Sequence, residues 1–140
     1  MPVERLRFSE QGRNRLITLK RRTGLPTWAV LSRLALCRSL ADPSIPPQTP
    51  ERADSTLEID WRTLAGPYGD VLWGMLRLRC RRDALPLDED TVARQLSIHV
   101  HRGLGYLVGN PDLKSIVDLA ALTRTELAVL DNGTEAVGAD

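Results

Sequence analysis

Residues 16–40 read Leu16-Ile17-Thr18-Leu19-Lys20-Arg21-Arg22-Thr23-Gly24-Leu25-Pro26-Thr27-Trp28-Ala29-Val30-Leu31-Ser32-Arg33-Leu34-Ala35-Leu36-Cys37-Arg38-Ser39-Leu40. Two periodic apolar runs flank one short break, which reads as helix, turn, helix. Gly24 suits the left-handed position that closes a helix, and Pro26 pre-sets the backbone at the start of the next. The second helix, about Pro26 to Ala41, is apolar nearly all round, with Trp28, Val30, Leu31, Leu34, Ala35, Leu36, Cys37 and Leu40. A helix without a polar face is buried on every side, at the domain centre or in an oligomer interface. Trp28, Leu31, Leu34 and Ala35 are therefore the candidate interface residues.

Toward the N-terminus, residues 3–8 alternate, with Leu6 and Phe8 on one side and Arg5 and Arg7 on the other. The pattern predicts a short strand with a basic exposed face. Ser9 then supplies an N-cap for a first helix running to about Arg22, its narrow apolar side made by Leu16, Ile17 and Leu19. Toward the C-terminus, Pro43, Pro46, Pro47 and Pro50 mark residues 42–55 as a mobile loop. Leu57, Ile59 and Trp61 alternate with polar residues in an extended segment. A third helix, Tyr68 to Arg82, is expected to bury Val71, Leu72, Met75, Leu76 and Leu78. A fourth runs from Asp88–Asp90 to Gly109, with Val92, Leu96, Val100, Gly103 and Leu107 along one side. A short fifth helix is expected within residues 113–122. The expected fold is mainly α: a small single domain of about five helices with a short N-terminal strand, similar to the ribbon–helix–helix arrangement. Residues 1–130 form that domain, and residues 131–140 a polar tail.

Aromatic residues make up only 4% of the 140, so Leu, Val, Ile and Ala must build the core, which favours helices. The net charge of +1 hides an asymmetry. Residues 1–40 carry nine basic side chains against Glu4 and Glu10, a net +7, which leaves −6 for the remainder. A basic head of this kind suits phosphate neutralisation, which needs no base readout. Cys37 and Cys80 lie far apart in apolar runs, as small hydrophobes in a reducing cytoplasm. The apolar stretches are too short and too interrupted for a membrane span.

Candidate chemistry is sparse. His99 and His101, two apart on a helix, point about 200° from each other and cannot chelate one ion. His99 is expected to pack beside the apolar stripe, and His101 to face solvent. Asp88, Glu89 and Asp90 are explained by a helix start, where acids complement the macrodipole. Arg77, Arg79, Arg81 and Arg82 suit a helix C-terminus by the same argument, with phosphate contact as the alternative. No catalytic residue, metal site or cofactor is expected.

Leu16-x-x-Leu19-Lys20, Thr23-Gly24-Leu25, Arg33-Leu34-Ala35-Leu36 and Ser39-Leu40 resemble the DNA sulfur-modification proteins of the DndE family. So do Gly66-Pro67-Tyr68-Gly69-Asp70 and the run His99 to Leu107, and the resemblance spans roughly residues 3–120. It implies a mainly helical fold, a homo-oligomer (a tetramer) and binding of duplex DNA with a preference for nicked DNA. It further implies partner subunits of a complex that replaces a non-bridging phosphate oxygen by sulfur. Arg13, Lys20, Arg21, Arg22 and Arg33 match the DNA-binding role, and with Arg5, Arg7 and Arg15 of the basic head they are the candidate DNA-binding residues. Three readings compete: a ribbon–helix–helix regulator of one operator, an assembly subunit whose basic head meets acidic partner proteins, and a nickase.

Overall fold

Period-two alternation turns Leu6 inward and Arg5 and Arg7 outward on β1 (Arg5–Arg7). The computed structural model describes residues 5–25, 27–49 and 52–110. Helix α1 (Glu10–Thr23) starts at Ser9, whose hydroxyl accepts the Gly12 N–H at 2.9 Å. It ends at Gly24, whose φ of 72° places it in the left-handed region. Helix α2 (Trp28–Ala41) follows, two residues later than the Pro26 start expected from the sequence. After the proline-rich segment come β2 (Glu58–Asp60) and a helix the sequence reading did not anticipate, α3 (Trp61–Ala65). Asp60 caps α3 by accepting the Thr63 N–H. One 3-10 turn, Gly66–Tyr68, leads into α4 (Gly69–Arg82), and α5 (Glu89–Gly109) completes the described elements. The expected helix within 113–122 and the tail from 131 lie outside the described residues.

The strand is paired within the chain. β1 runs antiparallel to β2, with Arg5 opposite Asp60, Leu6 opposite Ile59 and Arg7 opposite Glu58. Phe8 extends the ribbon through its N–H to the Leu57 carbonyl, and its own carbonyl accepts from the Ser55 N–H and hydroxyl.

Helix α5 is the central element, burying Val92, Leu96, His99, Val100, His101, Gly103, Leu104 and Leu107. Helix α2 crosses it so closely that a Cβ at Gly103 would lie 1.7 Å from the Ala35 carbonyl oxygen. Here glycine is required by backbone meeting backbone. On a second side α1 approaches α5, where a Cβ at Gly12 would stand 2.9 Å from the His101 ring.

Three expectations are corrected. Helix α2 is enclosed chiefly by α5, α3 and α1, yet its surface is not closed all round: Cys37 is exposed, and Arg33 and Arg38 are half-buried polar handles. In α4 only Leu72, Leu76 and Cys80 of the apolar set face the core, being four residues apart. Val71, Met75 and Leu78 fall on a neighbouring stripe that no described element covers, and they are exposed. The proline-rich segment is tied down over its first half: Pro46 is buried, Gln48 accepts from the Gln95 amide at 2.7 Å, and the Ser44 carbonyl accepts from Arg79 and Arg102.

Candidate nucleic-acid interface

The eight basic residues singled out by the sequence do not form one free surface. Arg5 and Arg7 stand on the outer face of the ribbon, opposite Asp60 and Glu58. Glu58 takes both arginines, at 3.4 Å from Arg5 and 2.7 Å from Arg7. These pairs are solvent-exposed and therefore weak, but they balance the charge of the strand face. Arg15 is half-buried, with its guanidinium against Gly105. Arg22 donates to the Val108 carbonyl at 2.9 Å, binding α1 to the end of α5. Arg33 donates to the Ala65 carbonyl at 3.3 Å and lies 5.7 Å above the Tyr68 ring.

Arg13, Lys20 and Arg21 remain on the open side of α1. Together with the exposed Ile17 they occupy positions i, i+4, i+7 and i+8, one face of a helix. Lys20 is half-buried and sits 5.0 Å over the Trp28 ring, a cation–π contact. No carboxylate lies within 4.0 Å of these three among the described residues. The arrangement puts three cations and one apolar side chain on a single helix face.

Of the candidate interface set, Leu31 and Ala35 are sealed inside the single chain, while Trp28 and Leu34 are half-buried. The larger exposed apolar surface is the α4 stripe of Val71, Met75 and Leu78.

The histidines diverge, though not as expected. His99 faces α2, where its Nδ1 lies 2.8 Å from the Ser39 hydroxyl. Burial, reinforced by the nearby Arg79 and Arg102, lowers its pKa to about 4. His101 is buried rather than solvated: its Nδ1 lies 2.7 Å from the Ser97 carbonyl and its Nε2 accepts the Ser9 N–H at 3.2 Å. With Nε2 accepting, the ring's Nδ1 is the side turned to the Ser97 carbonyl. The reason is tertiary, because α1 and Phe8 cover the α5 face that periodicity leaves open. No group of three or more His, Cys, Asp or Glu side chains that could hold a metal occurs among the described residues.

Two arginines that sequence reasoning did not separate from their neighbours are internal bolts. Arg79 is 6% exposed and donates to Asp83, the Leu40 carbonyl and the Ser44 carbonyl. Arg102 donates to the Ser39 hydroxyl and carbonyl and to the Ser44 carbonyl. Beside them Asp42 accepts from the Tyr106 hydroxyl at 2.6 Å and from the Ser44 N–H. These bonds, with Arg102 adding a smaller pull, hold its carboxyl well below the usual carboxylate range. Of the three acids at the start of α5, Asp88 is the cap, accepting the Thr91 N–H and hydroxyl. No helix among the described residues is long and apolar enough to cross a membrane.

The family model for DNA sulphur modification protein DndE matches residues 5–115. Among solved structures, DndE from Escherichia coli B7A, described as involved in DNA phosphorothioation modification, is similar at 25% identity and a TM-score of 0.63. The similarity covers 76% of this chain and 98% of that one. A lysine-substituted DndE mutant shares the fold at 22% identity and a TM-score of 0.56, covering 74% of this chain and 96% of its own. No curated protein matches the chain. Since the family model spans most of the sequence, through the cap, crossing and ribbon residues described above, the protein belongs to the DndE family of DNA sulphur modification proteins.

Proposed function

We propose that this protein is a non-catalytic, DNA-contacting subunit of a DNA phosphorothioate modification system. Family membership and the likeness to the E. coli DndE support the setting. The observation that carries the DNA-contacting role is the α1 face, where Arg13, Lys20 and Arg21 align with no carboxylate in reach among the described residues. Each phosphate they neutralise releases counterions, so affinity arises without base contacts and falls steeply with salt. A rigid charged face gains most from a duplex that bends to meet it, and a nick lowers the cost of that bend. The preference for nicked duplex is what the family resemblance implies, and the lower bending cost agrees with it. A homo-oligomer, a tetramer in this reading, repeats the face and multiplies a weak contact. Partner subunits mobilise sulfur, and this chain itself holds no cofactor.

A mobility-shift comparison of intact, nicked and single-stranded DNA of unrelated sequences tests this. Binding of all duplexes, with nicked DNA tightest, is expected. Selectivity for one sequence by orders of magnitude would instead identify a ribbon–helix–helix regulator. The Val71–Met75–Leu78 stripe, uncovered by any described element, suits an apolar protein partner rather than the acidic one of the assembly reading.

A further inference from the structure

Next to β2, helices α3 and α4 enclose a cavity of about 410 Å³ that the phosphate-binding role does not use. Trp61 and Trp73 form its aromatic wall, packed edge to face with centroids 5.6 Å apart at 74°. Trp61 is buried, which fixes the wall, while Trp73 is half-buried and lines the opening. Gly66 and Gly69 line the cavity without side chains. A Cβ at Gly69 would lie 3.8 Å from the Trp61 indole nitrogen. That indole N–H has no hydrogen-bond partner among the described residues, which leaves a donor at the cavity. Asp70 lines the same cavity with an exposed carboxylate that has neither a hydrogen-bond nor an ion-pair partner among the described residues, and Arg62 brings a guanidinium.

An aromatic wall of two edge-to-face indoles, one N–H donor, one carboxylate and one guanidinium suit a planar heterocycle carrying N–H donors, a carbonyl and a nearby phosphate. We infer that this cavity receives an unpaired nucleobase, and guanine above the others. A carboxylate can accept two N–H bonds side by side, and only guanine presents N1–H and N2–H together on its pairing edge. Its carbonyl is left for an N–H donor. The inference rests on the DNA-binding reading and deepens it. The cavity adjoins Arg33, whose guanidinium donates to the carbonyl of Ala65 and is what a Cβ at the cavity-lining Gly66 would meet. A base reaches such a pocket only when unstacked, which costs least in a single strand or at a damaged or mismatched position.

The test titrates the full chain with an oligo-dT strand, with the same strand carrying one central dG, and with an intact duplex, following tryptophan emission and affinity. The dG strand is expected to quench tryptophan and to bind about tenfold more tightly than oligo-dT, the discrimination of a bidentate contact. Asp70→Asn should bring the two strands within about twofold while duplex binding persists. Asp70 is exposed and outside the core, so the substitution leaves the fold intact. Equal affinity for the two strands with normal duplex binding would overturn the base pocket and leave the DNA-contacting role standing. A dG preference unchanged in Asp70→Asn would overturn it as well. Failure to bind any of the three would overturn both readings.

Discussion

At the scale of single residues, the protein turns on a few positions where backbone or proton has no alternative. Gly103→Ala would drive a methyl into the Ala35 carbonyl, at 1.7 Å, and force α2 away from α5. The expected cost is on the order of 3 kcal/mol, read as a lower denaturant midpoint. Ala84 is the opposite case. It occupies the left-handed position (φ 59°) after α4, where the Leu85 N–H returns to the Cys80 carbonyl and its own N–H to Arg81. Glycine is the natural residue there, so Ala84→Gly should stabilise by about 0.5–1 kcal/mol. His99 sets a pH dependence. Its folded pKa of about 4 lies below the ordinary 6.5, so the unfolded chain takes up the proton first. The contribution is complete above about pH 6.5 and is lost as pH falls toward 4, by on the order of 3 kcal/mol in all. Chemical denaturation across that range should show the decline, and His99→Asn should flatten it. Ser9, Gly24 and Asp88 were legible in the sequence because a cap is decided by neighbours within a turn. The burial of His101 was not, because its covers, Phe8 and Ser9, lie more than ninety positions away in the chain.

At the scale of elements, the basic head divides into a balanced ribbon and an open helix. The acids opposite Arg5 and Arg7 come from residues 58 and 60, so a charge count over residues 1–40 misses them until the strands pair. Removing that balance should expose the strand arginines. Glu58→Gln is expected to raise duplex affinity a few-fold at low salt and to steepen the salt dependence. An unchanged affinity would confine the DNA contact to α1. Helix α4 shows the other limit of a pattern read along one helix. Its apolar residues span two adjacent stripes, and only packing against α5 decides that Leu72, Leu76 and Cys80 are the buried one. Arg79 and Arg102 likewise look like surface cations in the sequence, yet they bolt Ser39–Ser44 to α4 and α5.

At the scale of the whole molecule, α2 packs against α5 and α3 within the single chain, with Leu31, Ala35 and Leu36 buried. The half-buried Trp28 and Leu34 of α2 and the exposed Val71–Met75–Leu78 stripe of α4 offer apolar surface to a second copy. Sedimentation across a wide dilution range is expected to show a homo-oligomer, a tetramer in this account. A monomer persisting at micromolar concentration would remove that part of it. The central claim, a phosphate-binding face on α1, is tested most directly by the salt dependence of duplex binding in the triple variant Arg13→Ala, Lys20→Ala, Arg21→Ala. Each lost phosphate contact should reduce the slope of log affinity against log salt by about 0.9, so the variant should bind weakly and with a clearly shallower slope. A slope identical to that of the unmodified protein would contradict the account and place the DNA contact on another surface.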